Sequence, residues 1–241
     1  MGMRKQENSC PNWENKKRWL WFSLNWGKTC PNRVIPHRRG RTMRTHRVFC
    51  PDFSSQRVEI DGAEAHHLAR VLRARPGQMI ELFDGRGSGC QALIREIHKS
   101  ACVVEPGTAL PKAPSPRVSI SVAVAPPKGS RQGWLVEKAT ELGVAGIYPL
   151  NVARGQISAE SVLLRWRKIA LEAARQCRRC DLPRVEARDL PTLTSTVEGK
   201  RWLLSPTGRP IAECLHQAFS SVTLIVGPEG GFDAAEISAL T

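Results

Sequence analysis

No stretch of the 241-residue chain reaches the roughly 18 consecutive apolar residues that a bilayer-spanning helix requires, which excludes a helical membrane span. Acidic residues are scarce. The chain has 22 Asp and Glu against 36 Lys and Arg, a formal net charge of +14. Neither G-x-G-x-x-G nor G-x-x-x-x-G-K-[ST] occurs, so neither a Rossmann dinucleotide fingerprint nor a P-loop is supported. Among eight cysteines the one close pair is Cys177 and Cys180, inside a helical pattern. A single C-x-x-C without a second pair or a nearby histidine is a poor zinc site. It reads as two reduced thiols in a cytoplasmic protein.

What is present divides into three zones. Residues 1–42 hold ten Lys and Arg against Glu7 and Glu14, a net of +8, which leaves +6 for the rest. The excess in the remainder suits a polyanionic partner, or else a plain solvated surface. Trp13, Trp19, Trp21 and Trp26 crowd the first zone with no clean period of 2 or 3.6. A transit peptide is Ser-rich and amphipathic, and this segment carries only Ser9 and Ser23. It is expected to be an unstructured basic extension, with Met43 as the biological start.

Residues 43–115 read as short strands around one helix, a small β-barrel. The helix "AEAHHLARVLR" (63–73) follows Asp61, with Glu64 placed as in a capping box. Ala65, Leu68, Ala69 and Leu72 form its apolar stripe, and His66, Arg70 and Arg73 fall on another face. Residues 79–83, 90–97 and 101–104 read as strands, with Asp84-Gly85 turning the first into the second. "PGTALPKAPSPR" (106–117), with four prolines, reads as a stiff linker and a domain boundary.

From Val118 strands and helices alternate. Strands are expected at 118–125, 147–150, 201–204 and 222–226, and helices at 130–142, 161–180 and 211–219. That alternation predicts an α/β domain over 116–241, with a mostly parallel sheet covered on both faces. Leu135, Ala139 and Leu142 make the stripe of the first helix; Leu163, Trp166, Ala170 and Ala173 make that of the long one.

The sharpest feature is "LIVGPEGGFDAAE" near the end. An apolar strand runs into Gly227-Pro228-Glu229-Gly230-Gly231, and Asp233 with Glu236 then starts a helix. Glycines let a ligand approach the main chain closely, and in α/β proteins ligands sit beyond the carboxyl ends of strands. A tight connection alone would also account for the turn. Glu229 disfavours a bare phosphate and suits a cationic or zwitterionic ligand.

Six segments together resemble one family. "LIVGPEGGF", "VEKATELGV" (136–144), "RWRKIALEAARQCRR" (165–179), "HHLARVLR" (66–73), "PGQ" (76–78) and "FDG" (83–85) are similar, in order, to the RsmE family of 16S ribosomal RNA uracil-N3 methyltransferases, of the SPOUT class. The resemblance runs from Met43 to Thr241. It implies a PUA-like barrel followed by an α/β domain tied in a trefoil knot. It also implies S-adenosylmethionine as cofactor, 16S ribosomal RNA or the small ribosomal subunit as partner, and a homodimer. The family's target is uridine 1498.

Carried onto this chain, the resemblance implies that Gly227, Pro228, Glu229, Gly230 and Gly231 wrap the cofactor. Ser205 and Pro206 face the same pocket. Arg70 and Arg73 form a phosphate-contacting ridge, joined by Lys128 in "PPKGSRQG" and by Arg178. Gln176, Arg178 and Arg179 match the family's glutamine–arginine signature, and Arg179 is the candidate to stabilise charge on the base. Arg165 and Lys168 read as a solvated face, and Arg175 stands where many relatives carry glutamate. The reaction implied is an in-line displacement at a Watson–Crick edge, which needs an unpaired or flipped base and no metal. Glu141 or Glu229 would accept the N3 proton. The family's chain continues past this helix start, so the resemblance implies a C-terminal truncation, an incomplete knot, and a strand 222–226 short of apolar cover. Two other readings stand beside the enzyme: a non-catalytic RNA-binding module, and a basic α/β protein that binds a nucleotide for regulation.

Overall fold

The computed structural model describes residues 45–98, 100–215 and 218–240. The basic extension expected at 1–42 lies outside the described residues.

The first sheet uses β1 (Arg47–Phe49), β2 (Val58–Asp61), β3 (Met79–Phe83), β4 (Gly89–Ile97) and β5 (Ala101–Ala109), in the order β1-β3-β4-β5-β2. β1 lies parallel to β3, and the other pairings are antiparallel. Alternate residues point to one core: Val48, Ile60, Ile80, Leu82, Ile94 and Val104 are at most 5% exposed. Helix α1 (Gly62–His66) runs into a π-helical turn (His67–Val71), and Ala65 and Leu68 seal the same core. The wider turn is closed by Leu72 N donating to His67 O at 3.0 Å. Ala69 and Leu72, expected on the apolar stripe, are half-buried.

Three local expectations need correction here. Asp61 stands at the helix N-cap but makes no side-chain cap bond, and Glu64 bonds Arg175 instead of closing a capping box. A carboxylate with an arginine in reach gains a charge-assisted bond that outweighs one to a backbone N–H. The β3–β4 connection is longer than a two-residue turn: Asp84 Oδ1 accepts from Arg86 N at 2.7 Å and from Ser88 N at 3.0 Å. The proline-rich segment does not begin as a linker, because β5 continues through Pro106 to Ala109. β2 pairs β5 only over Ala101–Val104, so Pro106 sits where β5 is a sheet edge and needs no outward donor.

The second sheet is wholly parallel. Its elements are β6 (Ser119–Val124), α2 (Arg131–Glu141), β7 (Gly146–Asn151), α3 (Ala159–Cys177), β8 (Arg184–Val185), β9 (Arg188–Asp189), α4 (Leu190–Thr196), β10 (Lys200–Leu203), α5 (Ile211–Cys214), β11 (Ser221–Val226) and α6 (Ala234–Leu240). The order is β10-β11-β6-β7-β8, with β9 also on β7. Neighbouring residues feed opposite faces. Val124 and Ile147 pack under α2 and α3, while Ala123, Tyr148 and Ile225 pack with Leu190 and Leu193 of α4. β11 lies between β10 and β6, and Val222 and Ile225 are 4% and 1% exposed. Of the strand expected to lack cover, Val222, Thr223 and Ile225 are buried, and Leu224 and Val226 are half-buried.

Trp166 of α3 is fully buried, and its Nε1 donates to Gln132 Oε1 of α2 at 3.1 Å, so the largest core side chain leaves no orphan donor. Val136, Ala139 and Thr140 are the inward positions of α2; Leu142, expected on the stripe, is 68% exposed.

The end of α3 joins the two sheets. Buried Arg47 pairs with Glu81 at 3.3 Å, and its Nη1 and Nη2 donate to Arg179 O at 3.2 Å and Cys180 Sγ at 3.1 Å. Arg178 also pairs with Glu81, and Arg175 with Glu64. Cys177 and Cys180 are free thiols, and burial pushes the Cys177 thiol up.

Candidate functional site

The site is built at the carboxyl ends of adjacent parallel strands. β6 ends at Val124 and β11 at Val226, in register, with Ala125 N donating to Val226 O at 3.1 Å. β6 leads into α2 on one face, whereas β11 leads into α6, whose Leu240 packs with Leu190 and Leu193 of α4 on the other. Chains leaving neighbouring strands in different directions open a crevice between them. It measures about 330 Å3 and is lined by Val124, Ala125, Pro127, Arg131, Trp134, Leu135, Val226, Gly227, Pro228 and Glu229. Apolar walls with a few polar groups are the ordinary make-up of a small-molecule site.

The glycine turn forms one wall. Gly231 N donates to Pro228 O at 2.9 Å, and Gly231 has φ +69°, which a glycine adopts without strain. A β-carbon on Gly227 would meet the Phe232 ring at 2.9 Å, whereas one on Gly230 would meet Arg154 at an ordinary 3.5 Å. Glycine at 227 is thus demanded by packing and at 231 by backbone. At 230 neither packing nor backbone requires a glycine.

The loop after β7 fastens the turn. Arg154 Nη1 donates to Gly230 O at 2.7 Å, and Ala153 N donates to Glu236 Oε1 at 2.6 Å. Asp233 and Glu236 do close a reciprocal capping box on α6: Glu236 N donates to Asp233 Oδ1 at 2.8 Å, and Asp233 N to Glu236 Oε2 at 2.9 Å. Arg154 was missed in the sequence. The available signal was its place just beyond a predicted strand, on the ligand edge of the sheet.

Ser205 and Pro206 follow β10, the other neighbour of β11, and Leu204 N donates to Ile225 O at 2.9 Å. The structure therefore brings them to the same sheet edge as the glycine turn. Ser205 Oγ accepts from Thr207 N at 3.3 Å, and both Ser205 and Pro206 are exposed. Lys128, in the loop after β6, is exposed on that edge too.

The arginine pair at 178 and 179 is not brought there. Arg179 Nη1 donates to Thr140 O at 2.7 Å and to Val144 O at 3.3 Å, and its Nη2 holds Asp181. Thr140 and Val144 precede β7, so Arg179 sits at the amino edge of the sheet. α2 separates it from Arg131 at the crevice by 11 residues, about 16 Å of helix. Burial raises the Asp181 carboxyl, but the Arg179 bonds outweigh it and hold the group below its ordinary 3.8. Arg178 caps α3 in the left-handed region, φ +64°, and is bound by Glu81. Arg70 and Arg73 lie on the first sheet's helix, both exposed. Arg73, at φ +50°, follows the π-helical turn, so the two do not continue one regular helical ridge.

Of the two carboxylates considered for the proton, Glu229 lines the crevice and faces Arg131 at 3.5 Å. Glu141 pairs with Lys138 at 2.9 Å, at the other end of α2.

A mixed five-stranded sheet thus precedes a parallel sheet with a glycine-walled crevice. Two family models match in that order: an RNA methyltransferase PUA domain over residues 60–107 and an RNA methyltransferase domain over residues 113–241. The chain belongs to the ribosomal RNA small subunit methyltransferase E family. The Mycobacterium bovis protein of that name is 32% identical, covering 79% of this chain and 77% of its own length. That of Bacillus subtilis is 27% identical, over 76% and 77%. Among solved structures, the Neisseria gonorrhoeae ribosomal RNA small subunit methyltransferase E, bound to S-adenosylmethionine, is 25% identical with a TM-score of 0.73, over 81% of this chain and 85% of that one. A Legionella pneumophila methyltransferase in complex with the same cofactor is 28% identical with a TM-score of 0.74, over 82% and 86%. The PUA-like and SPOUT-type fold expected from the motifs is the observed one.

Proposed function

We propose that this chain methylates N3 of a uracil in 16S ribosomal RNA, uridine 1498 of the family, with S-adenosylmethionine as donor. One observation carries the reading: the glycine turn 227–231 is a shared wall. On its β10 side stand Ser205 and Pro206, and on its β6 side lies the crevice. The exposed main chain at Gly230, held from behind by Arg154, suits a ligand bound through backbone groups. Ser205, Pro206 and Gly227–Gly231 would hold the cofactor, which supplies an electrophilic methyl on a sulfonium. The negative Glu229 suits that positive charge.

The chain's own residues do the rest. Glu229 accepts the hydrogen bond from uracil N3–H and takes the proton as N3 becomes nucleophilic. Arg131 stabilises the negative charge that develops on the uracil oxygens. This pair lines the crevice, whereas Glu141 and Arg179 lie toward the amino edge of the sheet. Arg70, Arg73 and Lys128 contact phosphates and carry no sequence information themselves. The sheet of residues 47–109 acts as the RNA-binding domain and that of 119–226 as the catalytic one. The active form is a homodimer.

The test is transfer of labelled methyl to small ribosomal subunits or 16S RNA lacking the modification, followed by reverse transcription. A methyl on N3 blocks pairing, so a stop one nucleotide before the target uridine is expected. Label in RNA without that stop would overturn the assignment to N3. RNA binding without cofactor binding or label would support the non-catalytic module instead.

A further inference from the structure

Trp134 is 65% exposed, although it belongs to a helix whose neighbouring turns are packed. An exposed aromatic at the wall of a crevice offers a flat apolar face on which a planar ligand can pack. It lines the crevice, across from Gly227–Glu229, with Arg131 one turn before it and exposed Lys128 at the rim. Its backbone is fixed: Trp134 N donates to Ser130 O at 3.3 Å, and the next buried layer is Gln132 and Val136. The indole therefore projects from a fixed backbone position at the crevice beside the turn, with two cations nearby.

We infer that the Trp134 indole is the platform on which the unpaired acceptor base stacks. This rests on the function proposed above and adds the residue that holds the base. A pyrimidine lifted from its helix loses stacking and must regain it on the protein, and aromatic faces supply this for single-stranded nucleic acid. Stacking on Trp134 brings a base into the crevice whose opposite wall is the glycine turn. Arg131 and Lys128 match the flanking phosphates, and Glu229 matches an imino N–H. The occupant these charges select is a nucleic-acid strand.

The test uses the full chain with S-adenosylhomocysteine, so that binding is read without methyl transfer. The probes are fluorescent single-stranded RNAs carrying either uridine or an abasic site at the acceptor position. Trp134→Ala is expected to weaken the uridine strand roughly 5- to 150-fold and the abasic strand little. Trp134→Phe keeps the affinity within about threefold. The salt slope stays unchanged, because stacking releases no counterions. Trp134→Gln serves as a second exposed-surface variant should the alanine protein fold poorly. Equal losses for uridine and abasic strands would overturn the platform. So would unchanged RNA affinity, or a change in sedimenting mass, which would mean that a second copy covers the indole. If the wild type binds uridine in preference to the abasic strand yet never methylates, the platform stands and the enzymatic reading falls.

Discussion

Arg175 of α3 donates to Glu64 of α1, a pair 111 residues apart that ties the parallel sheet's longest helix to the mixed sheet. Glu172 holds the other guanidinium nitrogen at 2.8 Å. The sequence reading of Glu64 was local, a capping glutamate, and Arg175 was read as standing where many relatives carry glutamate. The pair exists because the two sheets meet at the end of α3.

Removing one partner should cost more than the pair contributes. Arg175→Ala leaves the Glu64 carboxylate poorly solvated and is expected to destabilise by about 2–4 kcal/mol, as for other broken partly buried pairs. Burial pushes the Glu64 carboxyl above its ordinary 4.5, and Arg175 pulls against that. A raised carboxyl favours the protonated native state. Its contribution is full below pH 4.5 and is lost as pH rises through the native value. The penalty of Arg175→Ala should thus be larger at pH 8 than at pH 4 in urea unfolding. An equal penalty at both pH values would refute the assignment.

Arg179 is expected to act on stability before chemistry. Arg179→Ala strips two backbone carbonyls and Asp181 of their donor, an expected loss of about 2–3 kcal/mol. Below its melting range the variant should bind S-adenosylmethionine normally by calorimetry. Asp181, held below 3.8, adds stability above that pH that disappears as pH falls through its native value. Asp181→Asn should flatten the acid limb of the stability curve. A variant of Arg179 with unchanged melting but abolished methyl transfer would restore it to the active site.

The glycines of the turn should separate by role. Gly230→Ala meets only Arg154 at 3.5 Å and should fold normally while losing cofactor affinity tenfold or more, on the order of 1.4 kcal/mol. Gly227→Ala collides with Phe232 and should lower the melting temperature itself. Arg154→Ala frees Gly230 O and should weaken the cofactor with little change in melting. Undiminished cofactor binding by Gly230→Ala would reduce the turn to a connector.

On the mixed sheet, changing Arg70 and Arg73 together to Ala should weaken RNA uniformly across sequences. It should also shallow the salt slope by about 1.4–1.8, the counterions of two phosphate contacts. Cofactor affinity should hold. An identical slope would place the RNA elsewhere.

Strand and helix order was legible in the sequence because period and turn chemistry are local. The β-branched run Val222–Val226 reads as a strand, and Asp233 with Glu236 has the spacing of a capping box, which closes there but not at Asp61 and Glu64, where Arg175 takes the carboxylate. The glycine turn was legible for the same reason. Which glycine is needed for packing and which for access depended on Phe232 and Arg154, and Arg154 reaches the turn from 76 residues away. Trp134 and Leu142 show the limit of a helical stripe, since apolar residues on α2 face outward and only the neighbours of each face decide that. The arginines show it most clearly. Arg70, Arg165 and Lys168 stay in solvent as composition alone suggests. Arg175 and Arg179 were drawn inward by Glu64 and two backbone carbonyls, and Arg178 was tied to buried Glu81 while staying exposed. A long cation goes wherever an acceptor is desolvated within reach, and that distance is set by how the sheets pack, not by spacing along the chain.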